Sequence, residues 1–500
     1  MSTGVETRTY RLSPPDRTGW MFGLSLVQLA TVAVGVVAGA VVMVTASVVI
    51  GVAVMALVGG LGVARLSGES LLSLTPLGLR WVGMKRRSES AWFSPVPLLG
   101  GDPESPAPEV LEGIELLIVD AAQLGHGAPG AKVAVSHDTA SATVAASFRV
   151  SGRGFGLMEP TAQDWLLDSW GRALGAFVSE RNPVVSISWS QWAAPAGLDD
   201  HRGWLAEQMA TDPLDDVRGA YERLLREAGS QVIRHEVIVT VTVAVGRVRR
   251  RPGEEDRTRT AVETLLGETK LFGQRIEGAG LVVSPVLTPA QWARTMRLRL
   301  DPSQRLALDG RTRSLGEAAG AASPANAGPT ATETTWTAWR TDGAWHRALR
   351  VSEWPRIDVG ASWMNDLMLY AGCIRTMAVV LEPVPRSKSQ RSILRDSAKI
   401  ESDATHRAEK GFRVGAHHRR ARQAVEEREE ELVAGYGEFV YAGILSICAP
   451  TLEELDDSTA ELTQIAASLG LEVRPLHGRH DLAVAATLPI ARGLVPREWL

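Results

Sequence analysis

The chain has 500 residues, with 53 Lys and Arg against 57 Asp and Glu. That length allows two to four domains, and a net charge of −4 gives no overall drive toward nucleic acid. The two cysteines, Cys373 and Cys448, sit in apolar, strand-like runs and are expected to be buried core thiols in a reducing cytosol rather than a disulfide framework. The bias to Ala, Val, Gly and Arg, with five Tyr, points to a GC-rich bacterial genome.

From Thr18 to Ala64 there is no charged residue, and Arg17 and Arg65 close that run. As one helix it would be roughly 70 Å long, against a bilayer core of about 30 Å. It is therefore expected to fold as a transmembrane hairpin, with spans near 20–43 and 48–64 and a turn at Val44, Thr45, Ala46 and Ser47. A signal peptide has a much shorter apolar core, roughly 7–15 residues. Basic residues stand on both flanks: Arg8, Arg11 and Arg17 before, then Arg65, Arg80, Lys85, Arg86 and Arg87. The positive-inside rule then puts both termini and the large C-terminal region in the cytoplasm of a bacterial cell. Trp20 and Phe22 suit the interface, and Gly35 and Gly39 form a G-x-x-x-G pair that would let the spans approach closely.

Residues 69–87 mix Leu, Trp and basic side chains around Pro76 and read equally as an interfacial segment or a linker. Residues 1–90 then form the membrane part, and a Pro/Gly-rich linker fills 91–109. A first domain is expected over 110–310. Its strands are near 114–120, 132–136, 142–150, 184–192, 231–248 and 280–287, and its helices near 162–180, 213–228 and 258–272. Thr161 and Asp164 resemble a capping box, and a further helix opens at Thr288-Pro289. Residues 311–335, rich in Ala, Gly, Pro, Ser and Thr, read as a flexible loop. The second domain, 336–500, is expected to hold a helix over 361–370, strands over 374–384 and 437–448, a helix over 451–469 and closing strands at 471–475 and 482–488. Between them 386–433 reads as a long charged helical arm that Gly411 and Gly415 would break. The expected architecture is a membrane-anchored α+β protein: a transmembrane hairpin followed by ferredoxin-like domains, two β-α-β rounds joined by the arm.

No catalytic, cofactor or metal constellation emerges. The segment Gly125-His126-Gly127-Ala128-Pro129-Gly130-Ala131-Lys132 lacks the Gly-Lys-Ser/Thr of a phosphate loop and reads as a turn. The glycines of 152–156 lack the spacing of a nucleotide motif. His201, His235, His346, His406, His417, His418, His477 and His480 are scattered without zinc spacing. His417 and His418 read as a solvated face, and His480-Asp481, if in a strand, would point to opposite faces. The basic run 247–251 is followed by Glu254, Glu255 and Asp256 and reads as a strand-end loop.

Residues 10–90, a hairpin followed by a basic Leu/Trp segment, resemble the PrgI-type inner-membrane subunit of type IV secretion and conjugation systems. Residues 110–495 resemble the N-terminal half of CagE/TrbE/TraC-type secretion ATPases through a shared order of short landmarks. These are Phe148-Arg-Val-Ser-Gly152, Trp189 and Trp192, the run from Arg234 to Thr240, Leu300-Asp301-Pro302, Ser352-Glu-Trp-Pro355, Trp363, Glu382-Pro-Val-Pro385, Thr451-Leu-Glu-Glu-Leu455 and Ala485-Ala-Thr-Leu-Pro489. In that family the last landmark leads into a RecA-like motor. This sequence ends at Leu500, so no nucleotide-binding residues and no ATPase activity carry over. Actinobacterial chains of this build look like membrane partners of a separate motor.

The resemblance implies a non-enzymatic structural subunit of a type IV-like secretion or conjugation apparatus. It would sit in the lipid bilayer and dock a separate P-loop ATPase and other secretion subunits, with the arm as a natural contact. A homo-oligomer is compatible with this, and direct nucleic-acid contact is not expected. The alternatives are an EccE-like subunit of type VII secretion, a membrane-tethered enzyme with an unrecognised site, and direct DNA handling, which would need a continuous basic face.

Overall fold

A computed structural model describes residues 9–10, 12, 26–66, 69–87, 90–94, 108–122, 130–152, 154–195, 198, 201, 205, 215–229, 232–249, 256–316, 327–409, 416–490 and 492. The N-terminal apolar run forms α1 (Leu26–Thr45) and α2 (Val48–Val63). Val- and Leu-rich sequence in both favours helix once backbone groups are satisfied internally. Extended backbone at Ser47, the α2 N-cap, makes the turn. α1 is long and apolar enough to cross a membrane. α2 has 16 residues, roughly 24 Å at the helical rise. Its length falls short because Ala64 leaves helical geometry and Arg65 enters a two-residue ladder with Glu69 and Ser70. Of the two full spans expected, one helix meets the length; residues 20–25 lie outside the described set. α3 (Leu71–Arg86) follows and runs on through Pro76, which removes one backbone donor without ending the helix.

The rest is built on one sheet of thirteen strands. They are β1 (Ala91–Phe93), β2 (Ile114–Asp120), β3 (Lys132–Asp138), β4 (Thr143–Ser151), β5 (Val184–Pro195), β6 (Ile233–Ala244), β7 (Val282–Val286), β8 (Ala331–Thr334), β9 (Trp339–Thr341), β10 (Ala344–Glu353), β11 (Ile374–Pro383), β12 (Phe439–Ala449) and β13 (Glu472–Pro475). The order is β1-β8-β9-β10-β12-β11-β5-β6-β4-β3-β2, with β13 also on β10 and β7 also on β4, and the pairs are antiparallel. Two units with one plan lie side by side. In the first the order is β7-β4-β6-β5, and in the second β13-β10-β12-β11, which is 4-1-3-2 by chain order within each. The units join where β5 pairs with β11, Ile187 opposite Leu381 through Ala193 opposite Arg375. Sequence reading separates two domains; the tertiary structure gives them a common sheet.

One face of the sheet carries α4 (Pro160–Gly175) and α6 (Arg257–Gly278) over the first unit, and α9 (Asn365–Met368) and α12 (Leu452–Ser468) over the second. Trp189 and Leu381 pack against both of these cores and bridge the seam. The opposite face is covered by α7 (Pro289–Leu300), α8 (Arg305–Leu315) and α13 (His480–Ala485), whose Trp292, Met296, Leu300, Leu308 and Val484 share a core with Ile238, Ala348 and Ile444. β6 explains how one strand serves both layers. Val239, Val241 and Val243 point into one core and Ile238 into the other, while buried Thr240 bonds the Ser147 hydroxyl at 2.8 Å.

Several expectations change. The apolar run 482–488 lies largely in helix α13, not a strand: such a short run fits either element, and its small side chains let a helix seat beneath the sheet. Thr161 caps nothing. Glu159 is the N-cap and Pro160 the first helical residue of α4, a position where the missing N–H is not needed. β1 falls within the stretch read as linker and pairs with β8. The expected 361–370 helix is the single turn α9. The arm does not join the two rounds. It is a helical pair, α10 (Arg386–Glu409) and α11 (Ala416–Val433), inserted between the neighbouring strands β11 and β12 of the second unit. Gly411 and Gly415 lie outside the described residues. The helix opening at Thr288 has a full capping box with Gln291. α5 (Asp215–Gly229) occupies the matching place between β5 and β6.

Candidate functional site: the apolar hairpin and its attachments

Gly35 and Gly39 lie where α1 meets α2. A Cβ on Gly35 would stand 2.9 Å from the Gly59 nitrogen, and one on Gly39 would stand 2.8 Å from both the Gly51 oxygen and the Met55 Cβ. The facing helix supplies the complement, which sequence reading missed: a Cβ on Gly51 would be 2.7 Å from the Gly39 oxygen, and one on Gly62 would be 2.9 Å from Val32. A G-x-x-x-G spacing flags one helix only, whereas the partner glycines are spaced eleven apart. Close backbone approach leaves the β-branched side chains outside. Val34, Val37, Val41, Val44, Val49 and Leu57 are exposed, giving an apolar belt far beyond what a water-facing helix pair presents.

Of the predicted flanking cations, Arg17 lies outside the described residues, and Arg65 is placed only by its backbone in the short ladder. Arg80, Lys85, Arg86 and Arg87 are exposed on or just past α3. Lys85 sits 5.2 Å from the Trp81 ring centre, within cation–π range. Trp81 packs edge-on against Trp336 at 5.7 Å, Trp336 stacks on His477, and Met84 is buried. α3 is thus packed onto the second unit. The chain before the hairpin is also attached. Tyr10 N–H donates to the Val359 oxygen at 2.8 Å, Val359 N–H donates back at 3.0 Å, and the Tyr10 hydroxyl donates to Asp164 on α4 at 2.8 Å. Tyr10 therefore ties the second unit to the first.

The arm is anchored at its base and charged beyond it. Ser389 and Ile393 are buried, and Arg428 reaches Asp396 at 3.2 Å and Glu438 at 2.5 Å. The Tyr436 hydroxyl donates to Asp168 on α4 at 2.8 Å, one turn from the Tyr10 contact. Glu180 accepts from the Ser387 N–H and hydroxyl at the start of α10, and these bonds hold its carboxyl below the usual range. Further out, Arg422 pairs with Glu426 on the exposed face. Side chains of His406, His417 and His418 lie outside the described residues.

Several buried polar groups bond distant segments of the framework together. The Arg299 guanidinium, at the end of α7, is fully buried against Ser190 Oγ at 3.0 Å, the Thr487 oxygen at 3.2 Å and Glu236 at 3.5 Å. Burial works to raise the Glu236 carboxyl, but Arg299 and Arg149 outweigh it and hold it low. Arg492 joins Asp138 at 3.0 Å and the Val110 oxygen at 2.9 Å, tying a late residue to the first strands. Burial pushes the Cys373 thiol up to about 11 and Cys448 higher still, away from reactive thiolates. His480 Nδ1 accepts from the Ala348 N–H, and Asp481 accepts from the Leu482 N–H. Among the described residues no group of His, Cys, Asp and Glu has the makings of a metal site. Residues 125–129 lie outside the described set; Gly130, in left-handed backbone, leads into β3 as a turn does.

Comparison with known protein families and with curated proteins finds no match to this chain.

Proposed function

We propose that the chain is a structural subunit of a type IV-like secretion or conjugation apparatus in a bacterial inner membrane. In this reading the α1–α2 hairpin is embedded in the bilayer with both ends cytoplasmic, and the sheet region and arm dock a separate P-loop ATPase. The observation that carries it is the combination of an exposed apolar helical hairpin with two antiparallel 4-1-3-2 units on one chain. We read each unit as ferredoxin-like, on the 4-1-3-2 strand order. The role is scaffolding rather than catalysis: Arg299, Arg492 and His480 each bond segments of the sheet region together.

The test is solubilisation of the tagged protein from its native membrane in mild detergent, with mass spectrometry of what co-purifies. A P-loop ATPase at near-stoichiometric amounts is the expected result. A second preparation has residues 397–426 replaced by a short Gly/Ser connection, which spares the buried Ile393 and the Arg428–Glu438 pair. It should stay folded and lose the ATPase. Recovery of type VII subunits would favour the EccE-like reading, and a solitary protein would count against docking altogether.

A further inference from the structure

The sheet ends differently at its two edges. At the second unit's end β8 pairs with β1, a three-residue strand that forms that edge, with Ala331 opposite Phe93, Thr332 opposite Trp92 and Glu333 opposite Ala91. β2 holds the corresponding place in the first unit. Among the described residues no strand pairs with its outer edge. β2 is a full seven residues in unbroken register with β3, from Ile114 opposite Asp138 to Asp120 opposite Lys132. Its sequence, Ile-Glu-Leu-Leu-Ile-Val-Asp, holds no Lys or Pro, and no bulge bends it. These are the devices by which proteins blunt an open edge. Ile118 is 53% exposed on it.

We propose that this edge is an interface with a second copy of the chain, β2 against β2 in antiparallel register about a two-fold axis at Leu117. Facing residues in an antiparallel ladder must be of the same hydrogen-bonding type, so the register moves in steps of two. Centring on Leu117 is the choice that pairs all seven residues with one another. Leu116 then meets Ile118 of the second copy, Leu117 meets its equivalent, Glu115 meets Val119 and Asp120 meets Ile114. Centring on Leu116 would set Asp120 against Glu112, and like charges directly opposite are unfavourable. The carboxylates of the edge already have basic residues beside them on β3: His137 Nδ1 lies 3.3 Å from Glu115, and Lys132 is opposite Asp120. Ile114 and Leu116 pack on one core of the first unit and Leu117 and Val119 on the other, so the pairing extends both cores across the interface. An isologous contact of this kind closes at two copies. The opposite edge ends in β1, only three residues long, and a very short edge strand is one way of blunting an edge. The pairing needs nothing from the secretion role and fails or survives independently of it.

The experiment is light scattering of the purified full-length protein in detergent, with the micelle contribution subtracted. Wild type should show twice the 53.7 kDa chain mass. Ile118→Lys should show one chain mass while keeping the wild-type melting temperature within a few degrees. Val282→Lys, at an exposed position on β7 in the same unit, should remain at two. As a second readout, the Glu115→Cys/Val119→Cys double variant should oxidise to a covalent dimer on a non-reducing gel. Cys373 and Cys448 are buried and give little background. Wild type at one chain mass, Ile118→Lys still at two, or no covalent dimer would each overturn the proposal.

Discussion

His346 and His480 show what burial does to a titrating side chain. His346 Nε2 lies 2.9 Å from the Leu300 oxygen and 2.8 Å from Thr341 Oγ1, so its N–H donates into the end of α7. Loss of solvent pushes it down to about 4. Burial, with His477 and Arg347 nearby, pushes His480 down to about 3. An unfolded histidine takes up a proton near 6.5. Below that pH the unfolded chain binds protons that the folded chain refuses until about 4 and about 3. Stability is therefore full above 6.5 and falls as the solution is acidified, by about 1.4 kcal/mol per pH unit for each histidine. Asp138, held low by the Arg492 and Ser141 bonds against the opposing effect of burial, loses its contribution only below the ordinary carboxylate range. The window from pH 6.5 to 5 thus reports on the histidines. The melting temperature of the wild type should drop across that window, and His346→Gln should show a shallower slope whatever its absolute stability. An equal slope in the two proteins would show that His346 is not buried neutral. Neither histidine carries a sequence signal of this behaviour, because burial depends on segments brought together by the fold: His480 meets Ala348, 132 positions away, and His346 meets Leu300, 46 positions away.

At the scale of elements, the hairpin depends on glycines that meet across α1 and α2. Gly39→Leu would drive a side chain into Met55 and the Gly51 carbonyl, and overpacking of that kind costs about 1–3 kcal/mol. Gly59→Ala is the matched control, since nothing stands within 4 Å of the added Cβ. Hydrogen exchange of α1 amides in micelles should speed up by roughly ten- to a hundredfold in Gly39→Leu, and stay at the wild-type rate in Gly59→Ala. Equal rates in all three proteins would mean that the pair is not held by this contact. Most elements were legible because their signals are local: the alternation of β6, the helix starts at Thr288 and Thr451, whose hydroxyls accept from the Gln291 and Glu454 N–H groups, and the charged composition of the arm. Those misread share a cause as well. The run 482–488 and the start of α4 carry patterns that two elements satisfy equally, and packing made the choice.

For the whole molecule, the two units should unfold together. The β5–β11 ladder joins them, and α7 lies under a core drawn from β6 of the first unit and β10 and β12 of the second. Arg299 fastens α7 to β5 and to the Thr487 carbonyl. Calorimetry of the full-length protein should show one transition for the sheet region, and Arg299→Ala should lower it for both units. That change removes the bonds to Ser190 and the Thr487 oxygen while Glu236 keeps Arg149 at 2.6 Å, a loss of about 1–3 kcal/mol. Two separate transitions would show that the seam is weaker than its ladder suggests.

The sequence by itself determined where apolar and charged material lies along the chain: an uncharged N-terminal run, alternating strands, capped helices, a charged arm and two isolated cysteines. These follow from local periodicity and composition, which act within one or two turns of chain. Only the tertiary structure decided that the two rounds share one sheet, that the strands flanking the arm pair with each other, and that Tyr10 and Trp81 tie both ends of the hairpin to the sheet region. The same holds for one edge ending in a three-residue strand and the other in a seven-residue one. Each of these is a pairing between segments distant in sequence, chosen by backbone hydrogen bonds and shared apolar surface that no local pattern encodes.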